Sequence, residues 1–382
     1  MADTRTRRSA YAASGVDVAA GGRAVELMRA AVESTRREEV IGALGGFAAT
    51  VGIPTSYRDP VLVSSTDGVG TKTAIAGALG RYDTVGVDLV AMCADDVACA
   101  GAAPLFFLDY VAVGRLDPAN VAELVGGVAA GCRAAGCALV GGETAEHPGL
   151  MDVDAFDLAG CCVGVVDRDR RIDGDAVREG DALVGIASSG LHANGFSLVR
   201  ALIAEYDLDL RRPYQEQLVR TLGEPGASRA IAVEPGLELA TLGEVLLTPT
   251  TIYAPALIRL RDGLEAAGAS LNGIAHITGG GLPGNIPRAL PVELAALVDP
   301  ARWPMPSVMR LMADMGGLSD AELRATFNGG LGMVIVVPPR AVSVAIDLLA
   351  REGLAAWEVG RVVESGTSGT SRSERYVEAS LA

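Results

Sequence analysis

The chain has 32 basic residues, and only one of them, Lys72, is a lysine. It closes the run Thr66-Asp67-Gly68-Val69-Gly70-Thr71-Lys72, which follows the apolar stretch Val61-Leu62-Val63. Gly68 and Gly70 would let backbone amides approach an anion closely. An ammonium is a compact point charge, unlike the planar guanidinium used elsewhere in the chain, and it suits a phosphate. Asp67 would repel that phosphate unless a cation lay between them. That points to Mg2+, a hard ion that takes carboxylate, water and phosphate oxygens. The spacing matches neither a Walker A loop nor a dinucleotide fingerprint. A tight turn capped by Asp67, in a chain biased toward arginine, accounts for the same residues.

Three further acids lie on a helix expected over about 88–100: Asp88, Asp95 and Asp96. On a helical wheel Asp96 falls among Leu89, Cys93, Val97 and Ala100. An ionised carboxylate on such a face is costly unless paired or metal-bound. Asp96 is therefore preferred over Asp95, which the wheel puts on the polar edge with Asp88. A salt bridge to an arginine would also explain it. Glu143 follows a strand expected at 137–140 and the pair Gly141-Gly142, in a loop at a strand end where function concentrates. A glycine turn explains that stretch equally well. Asp109 interrupts the apolar strand around Phe106–Val111.

His192 lies in Ser188-Ser189-Gly190-Leu191-His192-Ala193-Asn194-Gly195, before a helix. It is a candidate acid–base imidazole or phosphate-binding group, or a surface histidine. His276 ends an apolar strand ahead of Thr278-Gly279-Gly280-Gly281, a loop of the anion-cradle type. His147, beside Pro148, reads as structural or surface. No Ser-His-Asp order, zinc spacing or nucleophilic-cysteine context stands out.

The elements that must hold these residues form an α+β chain. Its 382 residues suffice for two or three domains, and 49% of them are hydrophobic. Net charge is −15, so positive potential at an anion site must be built locally. No basic stripe offers a footprint for nucleic acid. No apolar run reaches the ~18 residues of a membrane span. Six cysteines without CxxC pairing fit buried free thiols in a cytoplasmic protein. Arg5, Arg7 and Arg8 lack a following apolar region and read as a solvated terminus. Val25, Met28 and Val32 predict an early helix, and the polar stretch 167–181 a domain boundary. Residues 207–245 read as an irregular connection. The residues alone thus describe an acidic enzyme that binds phosphate-bearing ligands with Mg2+.

Taken in order, several segments resemble the phosphoribosylformylglycinamidine cyclo-ligase, or aminoimidazole ribonucleotide synthetase, family. They are Tyr11–Asp17, Leu44–Phe47, the Asp67–Lys72 loop, Val87–Met92, Pro104–Tyr110, Val140–Glu146, Ser188–Arg200, the Thr278–Gly281 loop and Phe327-Asn328. Together they cover nearly all of residues 10–363. The resemblance implies a two-domain fold. Residues 1–170, with a core at 60–167, would form an ATP-binding domain whose sheet or barrel makes a homodimer interface. Residues 171–365 would form an α/β domain, and 366–382 a disordered tail. It implies ATP-dependent ring closure of formylglycinamidine ribonucleotide. Asp67, Asp96 and Glu143 would hold Mg2+. Gly68, Gly70, Thr71, Lys72, Asp88, Gly141 and Gly142 would line the nucleotide, with Gly45 and Gly46 closing over it. Ser189, His192, Asn194, Thr278, Gly279, Gly280 and Gly281 would face the substrate. His192, Lys72 and Asp96 would be catalytic, with His192 as the proton shuttle. The alternatives are a thiamine-monophosphate kinase or another ATP-using relative, or a catalytically silent nucleotide-binding protein.

Overall fold

The structure is a computed structural model that describes residues 17–43, 45–234, 236–366 and 375–381. Most of the Tyr11–Asp17 segment, the arginines at 5, 7 and 8, and Leu44 lie outside them. Helix α1 (Val18–Glu33) is capped by Asp17, whose carboxylate accepts from the Ala20 amide. Its buried stripe is Ala20, Ala24 and Val32, while Val25 faces solvent, so the face is rotated from the one expected. Strands β1 (Val40–Ile41) and β2 (Thr50–Val51) form a small ribbon.

The first large sheet contains β3 (Pro60–Gly68), β4 (Ala103–Val113), β5 (Ala138–Glu146) and β6 (Phe156–Asp167), in the order β3-β6-β4-β5. Pairing is antiparallel except between β4 and β5. Helices α2 (Lys72–Leu79), α3 (Asp83–Cys99) and α4 (Pro118–Ala135) follow β3 and β4 in the chain. The α3–α4 crossing needs its glycines. A Cβ on Gly86 would overlap the backbone of α4, and one on Gly127 the backbone of Asp83. Register aligns Asp67, Gly160, Asp109 and Gly142 in one row across the sheet.

The second sheet has the order β12-β9-β11-β7-β10-β8. Its strands are β7 (Ala182–Ala187), β8 (Gly273–His276), β9 (Leu294–Val298), β10 (Leu331–Val337), β11 (Ala356–Glu364) and β12 (Tyr376–Glu378). The remaining helices are α5 (Phe196–Glu205), α6 (Tyr214–Val233), α7 (Leu242–Leu246), α8 (Ala254–Ala266), α9 (Gly281–Asn285), α10 (Ser307–Gly316), α11 (Asp320–Thr326) and α12 (Val342–Arg351). Two expectations change here. The 207–245 connection holds the long helix α6, kinked at Gly223 where φ is +71°. The tail is not wholly irregular. Its β12 pairs parallel with β9, and Glu378 accepts from Arg324 at 2.7 Å. A shared hydrophobic core joins the two sheets: Leu89 and Val97 of α3 belong to the same cluster as Leu257 of α8 and Ile335 of β10.

Candidate functional site

On β3 the odd-numbered residues turn toward the helix layer, following the period of two in a strand. Ser65 and Asp67 therefore face α3. The Ser65 hydroxyl donates to Oδ2 of Asp96 at 3.2 Å. Oδ1 of Asp96 lies 2.9 Å from Nδ1 of His276, at the end of β8 in the other sheet. Asp67 accepts from the Gly68 amide at 2.7 Å. Burial, reinforced by the negative charge of Asp96, raises the pKa of Asp67 above the usual carboxylate range. Burial acts on Asp96 in the same direction, but the hydrogen bonds and charge of His276 and the Ser65 bond outweigh it and hold its pKa low. The two halves of the molecule thus bring together a half-buried pair of carboxylates. The helical wheel had exposure reversed. Asp88 and Asp95 are fully buried, and Asp96 is the acid that reaches the surface.

Both buried acids are occupied. Asp88 makes an ion pair with Lys72 at 2.8 Å and accepts from the amide and hydroxyl of Thr250 at 2.7 and 2.6 Å. Lys72 also donates to the carbonyls of His192 and Thr248 at 2.9 and 2.8 Å. Its ammonium is completely enclosed, and burial lowers its pKa despite the Asp88 partner. An ammonium has three donors, and all three are spent. The expectations that Lys72 touches phosphate and that Asp88 contacts nucleotide are corrected accordingly: α2 turns this lysine into the junction between the halves. Thr71, which precedes it, stays at the surface within 3.3 Å of the Ser197 hydroxyl.

Asp95 accepts from the amides of Tyr253 and Ala254 at 2.8 and 2.7 Å, where α8 begins. Burial pushes its pKa up to about 7 despite those bonds. A folded-state value above the unfolded one means that the contribution of Asp95 to stability is greatest below pH 4 and is lost as pH rises toward 7. Asp95→Asn keeps an acceptor for the helix end and removes the titration. The difference in melting temperature between pH 5 and pH 7.5 should shrink by about 3–5 °C in the variant. A wild-type pH profile in the variant would mean that Asp95 is ionised throughout.

The loops expected to face substrate do meet. The amide of Asn285 donates to the carbonyls of Thr278, Gly279 and Gly281, fixing the glycine loop. A Cβ on Gly279 would lie 3.7 Å from Oδ1 of Asn194, and the enclosed Asn194 amide nitrogen has no partner among the described residues. Gly281, at φ +59°, lies so close to the Arg324 carbonyl that no side chain would fit. Asn328 braces the opposite wall. It donates to the Gly190 carbonyl and accepts from Ser188 and from the Gly330 amide. Ser189 donates through its hydroxyl to Pro249 and through its amide to Nε2 of His192.

His192 itself is buried and has φ +59°, a left-handed backbone that a residue with a Cβ rarely adopts. Burial drives its pKa well below the normal imidazole value, so the ring is neutral. The expected proton shuttle therefore fails on access: the ring braces its own loop, and its Nδ1 is enclosed.

Glu143 does not join the acid pair. Gly141, Gly142 and Glu143 belong to β5 rather than to a loop, opposite Leu108, Asp109 and Tyr110. Three strand spacings, about 14 Å, separate β5 from β3. Gly142 is glycine because the Asp109 carboxylate lies across it. Burial pushes the Asp109 pKa up to about 7. Gly45 and Gly46 are exposed between β1 and β2, and a side chain at Gly45 would meet none of the described residues. Among the described residues no group of three or more His, Cys, Asp and Glu side chains could hold a metal by itself. Asp67, Asp96 and the Ser65 hydroxyl are nevertheless hard oxygen donors. Mg2+ commonly takes one or two carboxylates and fills the rest of its shell with water and phosphate. The pair fits such an ion; the expected triad does not form. His276, visible in the sequence by its place before the glycine loop but given no role there, is the further residue of the site.

Residues 47–166 match the family model "AIR synthase related protein, N-terminal domain", and residues 178–371 match its C-terminal counterpart. The chain is 47% identical over 354 residues to a phosphoribosylformylglycinamidine cyclo-ligase of Thermosynechococcus vestitus, covering 92% of this chain and 96% of that one. It is 46% identical over 356 residues to the protein of the same name in Sorangium cellulosum, covering 93% and 96%. Among solved structures, thiamine-monophosphate kinase from Stenotrophomonas maltophilia aligns with a TM-score of 0.62 at 17% identity over 93% of this chain and 95% of that one. The hydrogenase maturation protein HypE in complex with ATP aligns with a TM-score of 0.60 at 18% identity over 94% and 90%. These last two likenesses concern the fold alone. The two family models and the close relatives agree: the chain belongs to the phosphoribosylformylglycinamidine cyclo-ligase family, a family of ligases.

Proposed function

We propose that the chain closes the imidazole ring of 5-aminoimidazole ribonucleotide from formylglycinamidine ribonucleotide, converting ATP to ADP and phosphate. The observation that carries the reading at the site is the Asp67–Asp96 pair, set where the two sheets meet and beside the glycine loop. The formyl oxygen is a poor leaving group. Transfer of the terminal phosphoryl of ATP to it makes it a good one. An amidine nitrogen then attacks the activated carbon, and phosphate departs. Such transfer depends on positioning and charge neutralisation more than on covalent help from the protein. Mg2+ bound with the nucleotide would neutralise charge on the phosphates. Asp67 and Asp96 would hold it, and the Gly70 amide would line the triphosphate, the Gly68 amide being engaged by Asp67. Asn194 and the Thr278–Gly281 loop would position the substrate, supported by Asn285 and Asn328.

The dimer reading has support from the first sheet. On the face away from α3, Leu62, Leu108 and Tyr110 are 55%, 38% and 41% exposed. Apolar sheet residues open to water on this scale favour a partner, and a second copy packed there would cover them. Six free cysteines suit the cytoplasm.

The deciding experiment is ADP release. Formylglycinamidine ribonucleotide should stimulate it and thiamine monophosphate should not. ADP release with thiamine monophosphate alone would replace this reading with the kinase. Nucleotide binding without any release would leave a silent binding protein.

A further inference from the structure

We propose that His276 is a positioning residue, whose Nδ1–H orients the Asp96 carboxylate toward the nucleotide-bound cation from across the junction of the two sheets. The inference rests on the Mg2+–ATP reading of Asp67 and Asp96.

A carboxylate can only accept, so at 2.9 Å the ring nitrogen Nδ1 is the donor. His276 is held for this task. It closes β8, pairs in register with Met333 of β10, and its side chain is 3% exposed. Among the described residues the enclosed Nε2 has no partner, so no second hydrogen bond from them pulls the ring elsewhere. Ser65, from β3, donates to the other oxygen of Asp96. Each oxygen thus receives one bond from protein, one from each half of the molecule. Each keeps a further acceptor direction for a ligand. The carboxylate is fixed in plane and rotation before any cation arrives.

The need for such fixing follows from Asp67. Two half-buried carboxylates repel each other, and Asp96 could relieve that by swinging toward water. The bond from His276 opposes the swing. In well-studied metal sites, partners that orient a ligand in this way carry about 10–100-fold in metal affinity.

The test uses purified full-length protein, a non-hydrolysable ATP analogue and Mg2+ titrated by calorimetry, with circular dichroism as the check on folding. His276→Ala should raise the Mg2+ concentration for half-maximal analogue binding by about 10–100-fold. His276→Asn places an amide nitrogen near the position of Nδ1 and should recover most of that loss. If the alanine variant does not fold, His276→Gln replaces it. It keeps a polar side chain but moves the donor away from Asp96, and the same loss is expected. An unchanged Mg2+ requirement in a folded Ala or Gln variant would overturn the proposal. So would equal losses in the Asn variant and the Ala or Gln variant, which would show that the ring fills space and does not orient. Wild-type protein that binds the analogue with no dependence on Mg2+ would overturn the cation reading of Asp67 and Asp96, and this proposal with it. A wild type that binds normally beside unaffected variants would sink this proposal alone.

Discussion

Replacing Lys72 by methionine is expected to destabilise the protein by about 3–5 kcal/mol, the scale for breaking a buried ion pair from one side. The methionine would leave the Asp88 carboxylate enclosed, with only the bonds from Thr250 to oppose its charge. It would also strip a donor from the carbonyls of His192 and Thr248, which hold the substrate-side loop against α2. Lys72→Arg should not rescue it fully. The guanidinium is broader and planar, and the three acceptors converge on a single nitrogen. The double variant Lys72→Met with Asp88→Asn should regain most of the stability, because it removes the uncompensated charge. Chemical denaturation of the wild type, Lys72→Met, Asp88→Asn and the double variant measures this, and the difference between the double loss and the summed single losses gives the coupling. A Lys72→Met protein with wild-type stability and no nucleotide binding would return the lysine to the phosphate.

That reassignment shows where sequence reading ran out. The presence of one lysine beside two glycines was visible, and so was its position before a helix. The direction of the side chain was not, because Lys72 is the first residue of α2 and turns inward to an acid sixteen positions later. The wheel found Asp96 by its apolar neighbours, yet it misjudged Asp95. Asp95 is enclosed by the start of α8, whose Tyr253 and Ala254 amides it accepts from across the junction of the two halves, a contact that no local period encodes. Glu143 was misplaced for a similar reason: Gly141-Gly142 reads as a turn, but β4 supplies a partner that keeps the strand running. Helix α6 was missed because its Gly223 and Pro225 break the periodic pattern. The strands β7, β10 and β11, by contrast, were legible. β7 is a short apolar run opened by Asp181, β10 an apolar run bounded by Gly330 and Pro338, and β11 carries Trp357, Val359, Val362 and Val363 between its charged residues. The resemblance supplied the reaction, which the residues alone did not name.

Asp67→Asn should separate function from stability. Asparagine is close in shape to the aspartate and keeps an oxygen to accept from the Gly68 amide. It removes a charge that burial and Asp96 both disfavour in the folded state. A carboxylate whose folded-state pKa is raised has greatest stability below its unfolded value and loses it as pH rises. The neutral variant escapes that loss, so without ligand it should melt at the wild-type temperature or slightly above it at pH 7.5. Turnover should fall by at least about 100-fold, the scale of losing one preorganised electrostatic group from a transition state. The stabilisation conferred by Mg2+ and an ATP analogue should largely vanish, since a ligand raises stability only in proportion to the logarithm of its occupancy ratio. Melting curves with and without that mixture read both effects on one sample. A variant that melts lower without ligand, yet keeps the full ligand-induced shift, would make Asp67 a structural acid. The retention of a repelled, half-buried carboxylate would then need another cause, because neither its hydrogen bond nor its packing requires the charge.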